Sequence, residues 1–220
     1  MGKQFAVLGM GNFGMSLARN LDSLGCEVIA VDASEDRIQE IADDVSYAMC
    51  ADIQDEKTFR MLGARNLDGV VVALAENLES SILATIRAKE MGAPFVMSKA
   101  QNDMQAKILK KLGADMVIQP EREMGTRVAK VLATQKFVDW IELSPEFSLV
   151  EVPLPENWVG KCLRSLNVRG KLGINVVGVI RGEAVNVNIG PDEPFLADDT
   201  LIMIGANKVL DSISKGTVEI

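Results

Sequence analysis

Histidine is absent from this sequence of 220 residues. Without an imidazole, the chain cannot build a Ser-His-Asp triad or a Cys-His pair, and it has no histidine ligand for zinc. The three cysteines, Cys26, Cys50 and Cys162, form no Cys-x-x-Cys pair and lie in or beside apolar segments. We therefore expect reduced, structural thiols and a narrow range of catalytic chemistry.

The sequence is also poor in positive charge and in long apolar runs. It has 23 lysines and arginines against 31 aspartates and glutamates, a formal net charge of -8. This balance disfavours nucleic acid as a partner, because binding to phosphates needs a basic face. No apolar run approaches the roughly 20 residues of a membrane-spanning helix, and no signal peptide precedes the first strand. The composition predicts a cytoplasmic protein that does not bind nucleic acid.

A glycine-rich turn is the most informative feature that is present. Residues 9–14 have the spacing Gly-x-Gly-x-x-Gly, between an apolar run at 5–8 and a segment of helical periodicity. The first glycine turns the chain, the second allows a phosphate to approach, and the third packs helix against strand. Asp32 ends the next predicted strand, where a carboxylate can accept hydrogen bonds from a ribose. The pattern predicts a nucleotide site.

Strands and helices alternate after the turn, which predicts a parallel sheet with right-handed crossovers. The run from Gly69 to Leu74 is apolar without alternation, as is typical of a strand buried on both faces. Residues 121–135 then form a predicted helix with an apolar stripe of Met124, Val128, Val131 and Leu132. We predict a Rossmann-like, doubly wound α/β domain over residues 1–136.

The pattern changes beyond that helix. A turn at 144–146 precedes shorter, alternating strands predicted at 149–153, 174–180, 184–187 and 200–204, with a short helix at 161–168. Gly182 lies between two strand runs and indicates a hairpin. Residues 137–220 are therefore predicted to be a linker followed by a small α+β domain.

Motifs in both halves together point to one family. In the N-terminal half they are residues 5–14, 31–32, 99–102, 112–115 and 119–125; in the C-terminal half they are residues 160–169, 173–175, 191, 199–201 and 205. With these motifs the chain resembles the regulatory subunits of Trk/Ktr-type potassium uptake systems. Such subunits consist of an RCK (KTN) N-terminal domain and an RCK C-terminal domain.

The resemblance implies a non-catalytic role. In that family, dimers assemble into an octameric ring that docks on a separate integral-membrane potassium pore protein. Nucleotide binding changes the shape of the ring and so gates the pore. We therefore expect a homo-oligomer that is cytoplasmic and peripheral at the inner face of the cell membrane.

The resemblance also implies the residues of the nucleotide site. Their expected roles are phosphate binding by Gly9, Gly11, Asn12, Phe13 and Gly14, ribose binding by Asp32, and contact with the adenine by Ala51, Asp52 and Ile53. Asp32 and Asp52 have an alternative role as helix caps, although Ser34 is better placed than Asp32 to cap the following helix.

The identity of the nucleotide stays open at this point. ATP or ADP is the expected ligand, with NAD(H) as the alternative. The choice stays open because family members that prefer ATP or ADP commonly carry an arginine where this chain has Asn12. Lys99 can supply the missing charge at the end of its predicted strand, or it can be a solvated lysine. Glu121 matches a family glutamate that helps to hold a divalent or monovalent cation beside the phosphates; its alternative role is a carboxylate at a helix N-terminus.

A second ligand is implied for the C-terminal domain. Relatives bind cyclic di-AMP between paired C-terminal modules, at positions that correspond to Arg169, Ile174, Asn175, Val176 and Pro191. The alternatives are a surface role for Arg169 and a core position for Ile174.

An NAD(P)-dependent oxidoreductase is the competing function, since the turn and Asp32 suit NAD equally well. A dehydrogenase needs an acid or base near the nicotinamide, usually His, Lys or Tyr. The chain has a single tyrosine, Tyr47, and its short C-terminal part shows no acid/base cluster. The sequence therefore favours a regulatory subunit that is not an enzyme.

Overall fold

The structure is a computed structural model that describes residues 2–74, 77–134 and 138–214. Contacts between Cα atoms divide the chain into two compact units, Met1–Arg122 and Glu123–Ile220. Each unit has its own sheet and its own hydrophobic core.

The first unit alternates strands with helices, as the sequence predicts. Its elements in chain order are β1 (Gln4–Leu8), α1 (Asn12–Ser23), β2 (Glu27–Asp32), α2 (Glu35–Ile41), β3 (Tyr47–Cys50), α3 (Glu56–Leu62), β4 (Gly69–Val72), α4 (Leu78–Glu90), β5 (Val96–Lys99), α5 (Asp103–Lys111), β6 (Met116–Ile118) and the start of α6 (Pro120–Thr134). All pairings in this sheet are parallel, and the strand order is β3-β2-β1-β4-β5-β6. This is the order of the doubly wound Rossmann fold.

Helices cover both faces of the parallel sheet. Leu8 and Val72 pack on one face with Phe59 of α3, while Val7 packs on the other face with Ile41 of α2. Every residue of β4 is buried, which explains the apolar run without alternation in the sequence. The predicted α/β fold is confirmed.

The second unit is built on an antiparallel sheet. Its elements in chain order are the remainder of α6, β7 (Asp139–Glu142), β8 (Phe147–Pro153), α7 (Leu163–Leu166), α8 (Val168–Leu172), β9 (Asn175–Arg181), β10 (Ala184–Asn186), β11 (Thr200–Ala206) and α9 (Asn207–Ser214). The strand order is β10-β9-β11-β8-β7. Gly182, with φ of 62°, lies in the hairpin between β9 and β10, as predicted.

Burial alternates along the central strand of this sheet. In β11, Leu201 and Met203 are fully buried, while Ile202 between them is half-buried. The core beneath these side chains contains both tryptophans of the chain, Trp140 and Trp158. One side of the antiparallel sheet therefore forms the core of the unit.

The structure corrects three details of the second unit. The predicted helix at 161–168 is two short helices, because Asn167 adopts a left-handed conformation with φ of 48° between them. The sequence reading also missed β7, which lies in the predicted linker, and α9 at the end of the described chain. The domain boundary at 136/137 stays a prediction, since residues 135–137 lie outside the described residues.

Among the described residues, no helix is both long and apolar enough to cross a membrane.

Candidate nucleotide-binding site

The glycine-rich turn joins β1 to α1 with a very close backbone contact. Gly9 has φ of 99°, in the region that favours glycine, and its N–H donates to Val31 O at 2.8 Å. A Cβ on Gly14 would lie 1.9 Å from the carbonyl oxygen of Gly9, so this position excludes every other residue. A Cβ on Gly11 would meet no heavy atom within 4 Å. Gly9 and Gly14 therefore shape the turn, whereas Gly11 leaves open space in front of it.

A cavity of about 330 Å³ opens beside this turn. It lies at the carboxyl ends of β1, β4 and β5, and the order of the strands reverses between β1 and β4. Open α/β sheets bind their ligands at such a reversal. The residues that line the cavity are Gly9, Gly11, Asn12, Phe13, Arg37, Ala73, Leu74, Asn77, Ser80, Lys99 and Glu121.

The start of α1 faces this cavity, since Gly11, Asn12 and Phe13 are all part of its lining. Gly11 is the N-cap of the helix, so the first backbone N–H groups of α1 have no partner within the helix. Such N–H groups, together with the helix dipole, favour a negatively charged ligand. The turn and the helix start can thus receive a phosphate group.

Asp32 ends β2 and is 6% exposed. Its Oδ2 atom accepts a hydrogen bond from the Met10 N–H at 2.6 Å, and its Oδ1 atom accepts one from the Ser34 N–H at 2.8 Å. Ser34, rather than Asp32, is the N-cap of α2. The two backbone bonds fix the carboxylate next to the turn and leave further lone pairs for the hydroxyl groups of a ribose.

Lys99 and Glu121, which both line the cavity, form an ion pair. The ammonium group of Lys99 also lies 5.6 Å from the centre of the Phe13 ring, within the range of a cation–π contact. The hydrogen bond from Lys99 holds the pKa of Glu121 below its ordinary value. Lys99 is therefore a paired lysine at the site, and its charge is partly offset by the carboxylate.

The three residues predicted to contact the adenine do not line this cavity. Ala51 donates its N–H to Asp32 O at 3.0 Å, and Ile53 is buried in the core. The Asp52 carboxylate accepts from the Gln54 N–H at 2.8 Å, while Asp55 is the N-cap of α3. Their role toward an adenine stays a prediction, and the alternative cap role of Asp52 is taken by Asp55.

The residues predicted to bind a second ligand all belong to the second unit. Arg169, Asn175 and Pro191 are exposed, whereas Ile174 is fully buried in the core and Val176 is half-buried against it. Ile174 thus has the core position that was its alternative role. Binding of cyclic di-AMP at these residues stays a prediction.

No group of three or more cysteine and acidic side chains that could hold a metal ion occurs in the described residues. Glu121 is the predicted cation ligand, and its described partner is Lys99. A cation beside Glu121 would therefore depend on oxygen atoms of the bound nucleotide.

Sequence reasoning missed three polar residues of the cavity: Arg37, Asn77 and Ser80. Asn77 is the N-cap of α4, with its side chain accepting from the Ser80 N–H at 3.1 Å. The cap role of Asn77 could have been found, because asparagine favours the N-cap and Asn77 directly precedes Leu78, the first residue of α4. The position of Arg37 in the site follows only from the way α2 folds back beside the turn.

The fold and this cavity are those of a Rossmann-like α/β domain. Residues 5–120 match the model of the TrkA-N domain, and residues 148–215 match that of the TrkA-C domain. The chain belongs to the family of Ktr system potassium uptake proteins, which confirms the resemblance drawn from its motifs. It is 42% identical over 206 residues to Ktr system potassium uptake protein C of Bacillus subtilis (strain 168), covering 94% of this chain and 93% of the relative. It is 36% identical over 203 residues to Ktr system potassium uptake protein A of Vibrio alginolyticus, covering 92% of each.

Solved structures share the fold at low sequence identity. The GsuK channel superposes with a TM-score of 0.71 and 15% identity, covering 100% of this chain and 40% of the channel chain. The GsuK channel bound to NAD gives a TM-score of 0.68 and 14% identity, again over 100% of this chain and 40% of that one. This chain thus spans less than half of those channel chains.

Proposed function

We propose that this chain is a nucleotide-sensing regulatory subunit of a potassium uptake system. Three relatives that it matches at 35–42% identity over more than 90% of their length are named Ktr system potassium uptake proteins. A nucleotide bound at the glycine-rich turn changes the conformation of the assembled subunits and so controls a separate membrane pore protein. The nucleotide can do this only by binding two conformations with different affinities.

The observation that carries this proposal is the cavity at the reversal of strand order. It combines an open glycine, the start of α1 and two cationic side chains, Arg37 and Lys99. All of these features suit an anionic ligand, and the Asp32 carboxylate beside the turn suits a ribose. The other residues of the predicted site keep the roles that the family resemblance implies: phosphate binding by Gly9, Asn12, Phe13 and Gly14, and contact with the adenine by Ala51, Asp52 and Ile53.

Isothermal titration calorimetry with ATP, ADP, NAD and NADH tests the proposal. We expect binding of at least one of them, and Gly11→Ala should weaken it at least tenfold because a methyl group would enter the open space before the turn. Gly125→Ala is the matched control, since its Cβ also meets nothing within 4 Å but lies in α6 within the second unit. Absence of binding by every nucleotide would contradict the proposal.

The choice among nucleotides rests on charge. Asn12 offers no charge to a terminal phosphate, and the Lys99 ammonium is shared with Glu121. ADP and NAD are therefore suitable ligands alongside ATP, and structures of GsuK with ADP and with NAD show that each binds to that channel. A divalent or monovalent cation would sit between Glu121 and the phosphates, and adding Mg²⁺ to the ATP titration tests for it.

The oligomeric part of the proposal is supported by an apolar stripe on α6. Met124, Val128 and Leu132 follow one another at intervals of four residues and are 54%, 47% and 70% exposed. In the proposed homo-oligomer, of dimers assembled into an octameric ring at the inner face of the cell membrane, a second copy covers this stripe. Light scattering should show an oligomer for the wild type and a smaller species for Leu132→Glu; a monomeric wild type, with and without nucleotide, would refute this part.

The proposed subunit is not an enzyme. Tyr47, the one tyrosine in the sequence, is on β3 and is not among the cavity residues. The titratable side chains of the cavity lining are Arg37, Lys99 and Glu121, and the latter two are paired with each other. Oxidation of NADH by the purified protein in the presence of carbonyl substrates would contradict this part of the proposal.

A further inference from the structure

Ser80 brings a buried hydroxyl group to the lining of the nucleotide cavity. It lies in the first turn of α4 and is 8% exposed. Its backbone N–H donates to Oδ1 of Asn77, the N-cap of α4, at 3.1 Å. The helix cap therefore fixes the backbone that presents this hydroxyl group to the cavity.

A hydrogen bond from Gln54 determines how the hydroxyl group can act. Nε2 of Gln54 donates to Oγ of Ser80 at 2.8 Å. A serine hydroxyl has two lone pairs that accept and one hydrogen that it can donate. Because Gln54 occupies a lone pair, the hydrogen is directed to another acceptor, and within the described residues it has none. Ser80 thus keeps a hydrogen-bond donor for a ligand in the cavity.

Gln54 belongs to the loop between β3 and α3, which does not itself line the cavity. Two further hydrogen bonds hold this loop. The Gln54 N–H donates to Oδ1 of Asp52 at 2.8 Å, and Oγ1 of Thr58, in the first turn of α3, donates to the Asp52 carbonyl oxygen at 2.7 Å. The bond from Gln54 to Ser80 therefore links the cavity to the loop that is predicted to contact the adenine.

The position of Ser80 indicates which part of a nucleotide it meets. Helices α3 and α4 pack on one face of the parallel sheet, with Phe59 and Ala84 in one core cluster, whereas α1 and α2 pack on the other face. Phosphates belong at the start of α1, where backbone N–H groups have no partner within the helix. A donor at the start of α4, on the opposite face, meets a different part of the ligand, and in ATP, ADP and NAD that part is the adenosine.

We propose that Ser80 donates a hydrogen bond to the adenosine part of the bound nucleotide and that Gln54 is the residue that positions its hydroxyl group. The acceptor is a ring nitrogen of the base or an oxygen of the ribose. This inference rests on the proposed function, because it assigns a contact residue and a positioning residue to the same nucleotide cavity. It gives the loop after β3 a role in nucleotide binding, although that loop lies outside the cavity lining.

Calorimetry with ATP, ADP, NAD and NADH tests the contact. Ser80→Ala should weaken the binding of each nucleotide that the wild type binds about fivefold, the effect of one neutral hydrogen bond. The factor should be the same for all of them, because they share the adenosine. A loss for some of these nucleotides and not for others would overturn the assignment to the adenosine.

Ser81→Ala is the matched control for this contact. Ser81 is the next residue of α4, is fully buried and does not line the cavity. Its Oγ atom has no hydrogen-bond partner in the part of the chain that the structure describes. The variant removes the same atom from the same helix turn and should leave every affinity unchanged. Equal losses in Ser80→Ala and Ser81→Ala would overturn the inference.

Gln54→Glu tests the positioning role. A carboxylate can only accept, so the Ser80 hydroxyl group turns toward it and its hydrogen is lost to the ligand. We expect the same loss of about fivefold as for Ser80→Ala, and no further loss when both changes are combined. A further loss in the combined variant would mean that the new charge repels the ligand, and it would overturn the positioning role.

Thr58→Val is the matched control for the loop. It breaks another hydrogen bond that holds the same loop but leaves the bond from Gln54 to Ser80 intact. Nucleotide affinity should therefore not change. A loss equal to that of Gln54→Glu would show that the shape of the loop alone matters, and it would overturn the positioning role.

The outcomes separate this inference from the proposed function. Nucleotide binding with an unchanged affinity in Ser80→Ala overturns the inference and leaves the proposed function standing. Absence of binding by every nucleotide to the wild-type chain overturns both.

Discussion

Each unit contains one aspartate that is almost completely buried and faces an arginine, and the two pairs differ in geometry. In the second unit, Asp199 is 1% exposed and accepts two hydrogen bonds from Arg181, at 2.7 and 2.9 Å. In the first unit, Asp32 is bound by backbone N–H groups and meets Arg37 at 3.5 Å. The pair in the second unit is closed by its own hydrogen bonds, whereas that in the first unit keeps donors for a ligand.

The two sheets differ in which of their faces are buried and in whether a cavity lies at their strand ends. The parallel sheet is buried on both faces and brings its loops together at one edge, where the cavity lies. The antiparallel sheet buries one side against a core that contains Trp140 and Trp158. The cavity with Lys99, Glu121 and Arg37 thus lies at the strand ends of the first unit, whereas the Asp199–Arg181 pair of the second unit is engaged within its own fold.

The largest expected loss of stability comes from creating a cavity in either hydrophobic core. Phe59 in the first unit and Phe195 in the second are both fully buried, and replacing either by alanine should cost about 3–5 kcal/mol of unfolding free energy. Urea unfolding followed by tryptophan fluorescence reports on the second unit, because it contains both tryptophans. Phe195→Ala should shift this transition strongly, and Phe59→Ala should act mainly on the circular dichroism signal. Equal shifts in both signals for both variants would mean that the units unfold as one.

A smaller effect is expected from the third glycine of the turn. Gly14→Ala places a methyl group against the Gly9 carbonyl and should cost about 3 kcal/mol, the upper part of the range for overpacking. Gly11→Ala should cost less than about 1 kcal/mol, as for an unfavourable N-cap residue. Thermal unfolding by circular dichroism measures both. A Gly14→Ala variant as stable as wild type would contradict the geometry of the turn.

The closed pair of the second unit should contribute stability that depends on pH. The Arg181 hydrogen bonds hold the pKa of Asp199 below its ordinary value, against the opposing effect of burial. A carboxylate with a lowered folded pKa stabilises fully above its unfolded pKa, about 4, and this contribution disappears as the pH falls through the folded pKa.

Asp199→Asn should therefore cost about 2 kcal/mol at pH 7, as for hydrogen bonds to a charged group, and less at pH 3. Asp192→Asn is the matched control, because Asp192 also accepts two hydrogen bonds from an arginine, Arg164, but is 68% exposed. Urea titrations at both pH values measure the difference. A cost for Asp199→Asn that is the same at pH 7 and pH 3 would contradict this account.

A small effect is also expected from a helix cap in the first unit. Asn102 caps α5 by accepting from the Gln105 N–H at 3.0 Å, and Asn102→Ala should cost about 1 kcal/mol. The loss of stability should shift the urea unfolding transition that circular dichroism records, and it should leave the transition recorded by tryptophan fluorescence unchanged. A shift of the tryptophan transition by the same amount would indicate cooperative unfolding of the two units.

The sequence predicted the first unit better than the second for a physical reason. Buried parallel strands such as β4 are continuous apolar runs, and the helices between them have side-chain caps at Ser34, Asp55, Asn77 and Asn102. The edge strand β7 has one buried residue, Trp140, and therefore lacks a clear alternating pattern. The break between α7 and α8 depends on the left-handed conformation of Asn167, which the sequence alone does not reveal.

The candidate site was predictable where it depends on local sequence. The glycine turn, Asp32, Lys99 and Glu121 could be named from motifs and strand ends. Arg37 could not, because its place in the cavity depends on the packing of α2, five residues beyond Asp32 in sequence. Contacts of this kind arise from tertiary structure and have no local pattern.

The ion pair of Lys99 has a practical consequence for work on the isolated first domain. The match to the TrkA-N domain ends at residue 120, and Glu121 is the next residue in the chain. A fragment cut at the family boundary would separate a lysine of the cavity from its carboxylate and so make the pocket more cationic. Nucleotide affinities measured on such a fragment should exceed those of the intact chain. Fragments for screening should therefore extend past the start of α6.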